Sequence, residues 1–182
     1  MKWLDRFFGG PKDMAALPAG SKAPDFSLPA VFSDKDGGKF SLRAALQRGP
    51  VLAAFFKVSC PTCQYTFPYL ERIHKAHGDK NITIVGISQN NKQDTASFLK
   101  EYGITFPTLL DDPHGYAVSN AYGLTNVPSL FLIEQDGEIE ISSVGWVKQE
   151  VEDINRRLAA AQQTPLPPMF QPGEDVRDFR AG

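Results

Sequence analysis

The chain has 182 residues, 42% of them hydrophobic and 22% charged, which suits one ordinary globular domain with short extensions. Its formal net charge of −2 offers no basic field to gather nucleic acid, and no apolar run approaches the ~20 residues that a membrane-spanning helix needs. There are two cysteines, Cys60 and Cys63.

Residues 1–22 read as a leader containing Gly, Pro and Ala. Met1 to Pro11 is too short and too interrupted for a secretory signal peptide, so a cytoplasmic location is expected. Trp3, Leu4, Phe7 and Phe8 fall at helical spacing, so this segment is expected to dock on its own domain, on a partner or on a membrane surface. Next come two strand-like pieces, 25–28 and 39–42, around the turn signal Asp34-Lys35-Asp36-Gly37-Gly38, which predicts a hairpin. Ser41 to Arg48 reads as a helical turn. Val51 to Val58 reads as a strand whose apolar run, Val51 to Phe56, suits a strand covered on both faces of a parallel sheet. A helix is expected over 61–77, with Phe67, Leu70 and Ile73 on one face. Gly78 would stop it, with His77 beside the negative end of the helix dipole.

Further strands are expected over 82–88 and 106–110, and helices over 92–102 and 114–122, each stopped by a Gly. The pair 129–134 and 138–144 brackets Asp136-Gly137, a strong hairpin signal. Residues 148–162 close the domain as a helix with Val151, Ile154 and Leu158 on one face. The alternation of strands and helices predicts a layered α/β domain over 23–163. Residues 164–182 hold four of the 14 prolines, which excludes a regular element of the core. This extended tail is expected to be dispensable for chemistry and to wrap the domain through Leu166, Met169, Phe170 and Phe179.

Cys60-Pro61-Thr62-Cys63 lies where the apolar strand gives way to the first long helix. A helix starting there aims its free N–H groups and positive dipole end at the first sulfur, which favours the thiolate and makes Cys60 a nucleophile. Pro61 fits the first helical position, where its missing N–H would have had no partner. A zinc site would recruit His74 and His77, but both gaps are shorter than a zinc finger prefers. On one helix, at about 1.5 Å per residue, His74 would also lie about 16 Å from Cys63. A purely structural bridge would close too short a loop to add much stability. Dithiol/disulfide chemistry is the reading that remains, with no metal or other cofactor required.

The residues also carry a family resemblance over about 22–160. Ala23-Pro24-Asp25-Phe26-Ser27-Leu28, the CxxC pair, Pro68 within the following helix, and Tyr122-Gly123-Leu124-Thr125-Asn126-Val127-Pro128-Ser129 resemble the thioredoxin-fold superfamily. Within it the chain looks like the redoxin branch, which holds the AhpC/TSA-type peroxiredoxins and the TlpA-like thiol–disulfide reductases. The resemblance implies a thioredoxin-like fold: a central mixed β-sheet flanked by helices, here with an N-terminal hairpin extension and the extended C-terminal tail. It further implies that Pro128 follows a cis bond and lies against the dithiol. Val127, Pro128, Pro61, Thr62 and Pro68 would shape the active site, and Lys57 would tune it electrostatically.

The chain departs from the family pattern at several positions. Ala54 stands where thioredoxins carry a buried acid, and Thr66 where TlpA-like reductases often have Glu. Lys57 stands where peroxiredoxins place Thr or Ser, and no arginine occurs between Arg72 and Arg156. The expected function is a thiol–disulfide oxidoreductase with Cys60 as nucleophile and Cys63 as resolving thiol. It would act on protein or small-molecule disulfides and be served by a thiol electron donor. The alternatives are a thiol peroxidase, with Cys60 peroxidatic and Cys63 resolving, and a non-catalytic thioredoxin-like adaptor.

Overall fold

The computed structural model describes residues 15–31, 38–78 and 81–182. The expected leader segment around Trp3 to Phe8 and most of the expected turn at 34–38 lie outside these residues. The elements, in chain order, are β1 (Ser27–Pro29), β2 (Lys39–Ser41), α1 (Leu42–Leu46), β3 (Val51–Phe56), α2 (Pro61–His77), β4 (Thr83–Ser88) and α3 (Lys92–Tyr102). They continue with β5 (Thr108–Leu110), α4 (Ala117–Ala121), β6 (Ser129–Ile133), β7 (Ile139–Val144), β8 (Trp146–Val147), α5 (Lys148–Gln162) and β9 (Phe179–Arg180).

The continuous apolar run of β3 becomes the middle strand of a five-stranded mixed sheet ordered β5-β4-β3-β6-β7. It pairs parallel with β4 and antiparallel with β6. Successive side chains point to opposite faces, so one strand feeds two cores. Leu52, Ala54 and Phe56 pack with Phe67, Leu70 and Phe98 beneath α2 and α3. Val51, Ala53 and Phe55 pack on the other face with Phe26, Tyr122 and Phe131. All six β3 residues are buried, and each fully buried large apolar side chain contributes about 1.5–3 kcal/mol. The β1–β2 hairpin forms its own two-stranded sheet, tied to the main one by a bridge from Ala30 to Leu109. The central mixed sheet, the flanking helices and the hairpin give the expected thioredoxin-like architecture.

Three local expectations are corrected. The helix expected over 114–122 begins only at Ala117. The Tyr116 and Gly115 N–H groups turn back to Asp112 O (2.7 and 3.1 Å), and Tyr116 takes a left-handed φ of 47°. Buried Asp111 instead accepts from the Val118 and Ser119 N–H groups (3.2 and 2.8 Å), so a residue outside the helix caps it. Gly78 ends α2 as expected, with φ −62° and its N–H donating to His74 O (2.7 Å). A Cβ at Gly78 would lie 2.7 Å from the backbone oxygen of His74. The second correction concerns the residue before it. His77, read as a dipole cap, is buried and bonded to Asn155 Oδ1 (2.8 Å) and Gln162 Oε1 (2.9 Å) on α5.

The third correction concerns residues 164–182. Two of them form β9, which pairs antiparallel with β8 in a small separate sheet. Met169 is buried and Phe170 packs on Tyr69, but Leu166 and Phe179 are exposed, so two of the four expected apolar contacts are made.

Candidate active site

Beyond β3 the chain turns sharply: the Cys60 N–H donates to Lys57 O (3.2 Å). Two amides brace this turn. Asn90 Oδ1 accepts from the Val58 N–H (3.0 Å), and Gln64 Nε2 donates to Val58 O (2.9 Å). Cys60 then serves as N-cap of α2, with extended backbone and its sulfur accepting from the Cys63 N–H (3.2 Å). Pro61 occupies the first helical position, and the helix runs on through Pro68.

The two thiols differ sharply in setting. Cys60 is half-buried at the helix mouth; Cys63, one turn in, is fully buried. Burial first, and the hydrogen bond with Cys60 second, push the Cys63 thiol far above its ordinary range. On its other side Cys60 Sγ donates to Val127 O (3.3 Å), and the Val127–Pro128 bond is cis. The nucleophile candidate therefore sits between a helix start and the 126–128 loop.

Ala54 is buried and supplies no acid beneath the dithiol. Thr66 is also buried, and its hydroxyl donates to Thr62 O (2.7 Å), a bond within the helix. Thr62 itself donates to Ala181 O (2.6 Å), 119 residues away in sequence. Exposed Lys57 lies over the Tyr116 ring, 5.8 Å from its centroid. Lys57, Gln89, Tyr116, Asn126 and Gly182 line a cleft of about 430 Å³ that opens at Cys60.

The structure thus gathers Lys57, Cys60, Thr62, Cys63, Val127 and Pro128 at one end of the sheet, with Pro68 further along α2. Sequence reasoning missed Gln89, Asn90, Tyr116, Asn126 and the segment Ala181–Gly182. Gln89 and Asn90 had a signal. They follow β4, which runs parallel to β3, and the carboxyl ends of parallel strands are where α/β sheets bind ligands.

The AhpC/TSA family profile matches residues 19–142. The thiol-disulfide oxidoreductase ResA of Halalkalibacterium halodurans is 29% identical over 144 residues, covering 78% of this chain and 78% of that protein. ResA of Geobacillus thermodenitrificans is likewise 29% identical over 147 residues, covering 80% and 79%. Among solved structures, a chain assigned as the thiol:disulfide interchange protein DsbE of Chlorobium tepidum superposes with a TM-score of 0.68 at 26% identity, over 81% of this chain and 99% of that one. A secreted Mycobacterium tuberculosis disulfide oxidoreductase shares the fold (TM-score 0.57, 24% identity, 74% and 95% covered).

These matches correct the expected cytoplasmic location. The ResA and DsbE proteins are extracytoplasmic, which is inconsistent with it. The cytoplasmic expectation rested on the lack of a signal-peptide pattern in the first residues, and that pattern says nothing about where a dithiol of this type operates. Among the described residues no helix is long and apolar enough to cross a membrane. The protein is a thiol-disulfide oxidoreductase. The family profile spans the sheet from the hairpin into β7 and includes the CxxC turn, so the chain belongs to the AhpC/TSA family.

Proposed function

We propose that Cys60 attacks disulfides of protein substrates and that Cys63 resolves the resulting mixed disulfide. The observation that carries this reading is the asymmetry of the pair: Cys60 opens on the cleft at the helix start, and Cys63 is sealed behind it. In the first step the Cys60 thiolate forms a bond to one substrate sulfur, the substrate disulfide breaks, and the second substrate sulfur leaves as a thiolate that takes up a proton. In the second step Cys63 loses its proton and attacks Cys60 Sγ. The Cys60–Cys63 disulfide forms and the substrate leaves as a dithiol. Two electrons have passed from the enzyme's dithiol to the substrate's disulfide. A thiol donor reverses the sequence and regenerates the enzyme.

Deprotonation of buried Cys63 is the demanding part of the second step, because burial disfavours its thiolate and neither Ala54 nor Thr66 offers a carboxylate to take the proton. Val127 O and the Cys63 N–H hold Cys60 Sγ at the cleft, and Lys57 supplies a nearby cation.

A peroxidase reading has less support. Lys57 stands in the place of the expected hydroxyl, and Arg180, brought near by the tail, lies over Tyr65 (5.8 Å) and does not line the cleft. Trapping tests the assignment. A Cys63→Ser protein should accumulate covalent complexes with a disulfide-bonded protein through Cys60, and a Cys60→Ser protein should not. The reverse pattern would overturn it.

A further inference from the structure

Residues 164–182 lie beyond the family match, yet they reach the redox site. They do so in two stretches of different character. Residues 169–177 are an anchor. Met169 is buried, Phe170 packs on Tyr69 and Trp146, and Arg72 donates both to Met169 O (3.1 Å) and, from two nitrogens, to the Glu174 carboxylate (2.8 and 2.9 Å). Trp146 Nε1 donates to Arg177 O (2.6 Å), and the Arg177 N–H donates to Tyr65 Oη (3.1 Å).

Residues 178–182 are held differently. Asp178, Phe179, Ala181 and Gly182 are exposed, Phe179 by 63%, and Arg180 is half-buried. The hydrogen bonds of this stretch are made by its backbone: Lys148 N–H to Asp178 O (2.9 Å), the β8–β9 ladder, Thr62 Oγ1 to Ala181 O (2.6 Å) and Asn126 Nδ2 to Gly182 O (3.4 Å); the Arg180 guanidinium adds one side-chain contact, over the Tyr65 ring (5.8 Å). The approach is close at two points. A Cβ on Gly145 would lie 2.6 Å from Arg180 O, and one on Gly182 would lie 2.6 Å from Val127 O, the carbonyl that accepts from Cys60. The segment is therefore an extended peptide lying against the strand edge, the Thr62 hydroxyl, the Asn126 amide and the Val127 carbonyl. Those groups bond peptide backbone, and only the place of Gly182, tight against Val127 O, demands a residue without a Cβ. They are the means by which this site could grip an extended polypeptide beside Cys60.

We propose that residues 178–182 are a built-in peptide ligand of the redox site, occupying the edge on which an extended polypeptide substrate docks, so that such a substrate must displace them. The bonds are few, the Thr62 bond part-buried and the Asn126 bond exposed, and the anchor keeps the displaced segment within reach. Gly182 borders the cleft without closing it, so a small disulfide entering from the Lys57 side competes with the segment far less than a polypeptide does. The proposal rests on Cys60 being the nucleophile.

Two variants free the edge: a chain lacking residues 178–182, and Arg180→Pro in the full chain, which removes an N–H from the two-residue ladder. Each should reduce insulin disulfides with kcat/KM raised at least about threefold, while the rate with hydroxyethyl disulfide rises less than half as much, as when a competing state is depopulated. A synthetic peptide of residues 174–182, added to the shortened chain, should slow insulin reduction again. An unchanged or lower insulin rate in a variant that still unfolds cooperatively overturns the proposal, as does an equal rise for both substrates.

A measurement on the Cys63→Ser full chain covers the case in which both variants misfold. Trapped with a cysteine-containing peptide, it should exchange the amides of 179–181 faster than the untrapped protein; unchanged exchange overturns the proposal. Absence of trapping at Cys60 defeats the nucleophile assignment, whereas trapping without any change at 179–181 defeats this proposal alone.

Discussion

The β3–α2 unit and the segment 164–182 both reach the dithiol, by opposite means. The first is fixed by buried apolar side chains: Phe67 on α2 sits 4.3 Å from the Phe56 ring and within 5.7 Å of the Phe98 and Phe106 rings. The second is fixed chiefly by polar side chains reaching its backbone, one ion pair and a two-residue ladder. Close-packed apolar contacts are costly to open and position the sulfurs, while surface hydrogen bonds contribute little each and can be exchanged for water or for a substrate. Rigidity at the chemistry and exchangeability beside it are thus encoded by different residue types.

The contrast can be broken most heavily at Phe67. Phe67→Ala should cost about 3–5 kcal/mol of stability, a large part of the roughly 5–15 kcal/mol typical of a domain. Urea denaturation would show it, and a cost below about 1 kcal/mol would mean that α2 is not held as described. Thr62→Val should act more gently. It leaves Ala181 O to water and strands no buried donor, so global stability should fall by about 0.5–1.5 kcal/mol while amide exchange at 179–181 quickens. Equal protection of those amides in both proteins would contradict the contact.

The smallest effect is set by pH. Arg72, and then the Gln171 N–H, hold the Glu174 carboxyl down at about 2. A lowered folded value means that the contribution is present above the ordinary carboxylate value and lost as pH falls through the window from about 4.5 toward about 2. In that window the anchor should loosen. Fluorescence of Trp146, which packs on Phe170, should change there in a Trp3→Phe background, and Glu174→Gln should remove the transition.

Periodicity made the first region legible and left the second dark. The i, i+3, i+4 pattern of α5 specifies its own limits, and the apolar run marks β3, which ends at Phe56, two residues before the expected Val58, where Lys57 begins the turn to the dithiol. The CxxC turn and the Val-Pro-Ser segment announced two sides of the site in residue types that few other roles require. By contrast, Arg72 and Glu174 are 102 residues apart, and nothing in one sequence says which carboxylate a half-exposed arginine will meet. Asp111 capping α4 from six residues before its start, and His77 bonded to α5, have the same origin: long-range polar pairing leaves no periodic trace. Gln89 and Asn90 enter the site because β3 and β4 are parallel neighbours, a fact of topology more than of local sequence.

In the proposed mechanism the two thiols divide the labour, Cys60 attacking and Cys63 resolving. Reduced protein treated briefly with iodoacetamide at neutral pH, then digested and mapped by mass, tests it directly. Cys60, open on the cleft, should be modified first, and Cys63, buried and with its thiol pushed up, should be modified only slowly or after unfolding. Faster modification of Cys63 than of Cys60 in the folded protein would contradict it.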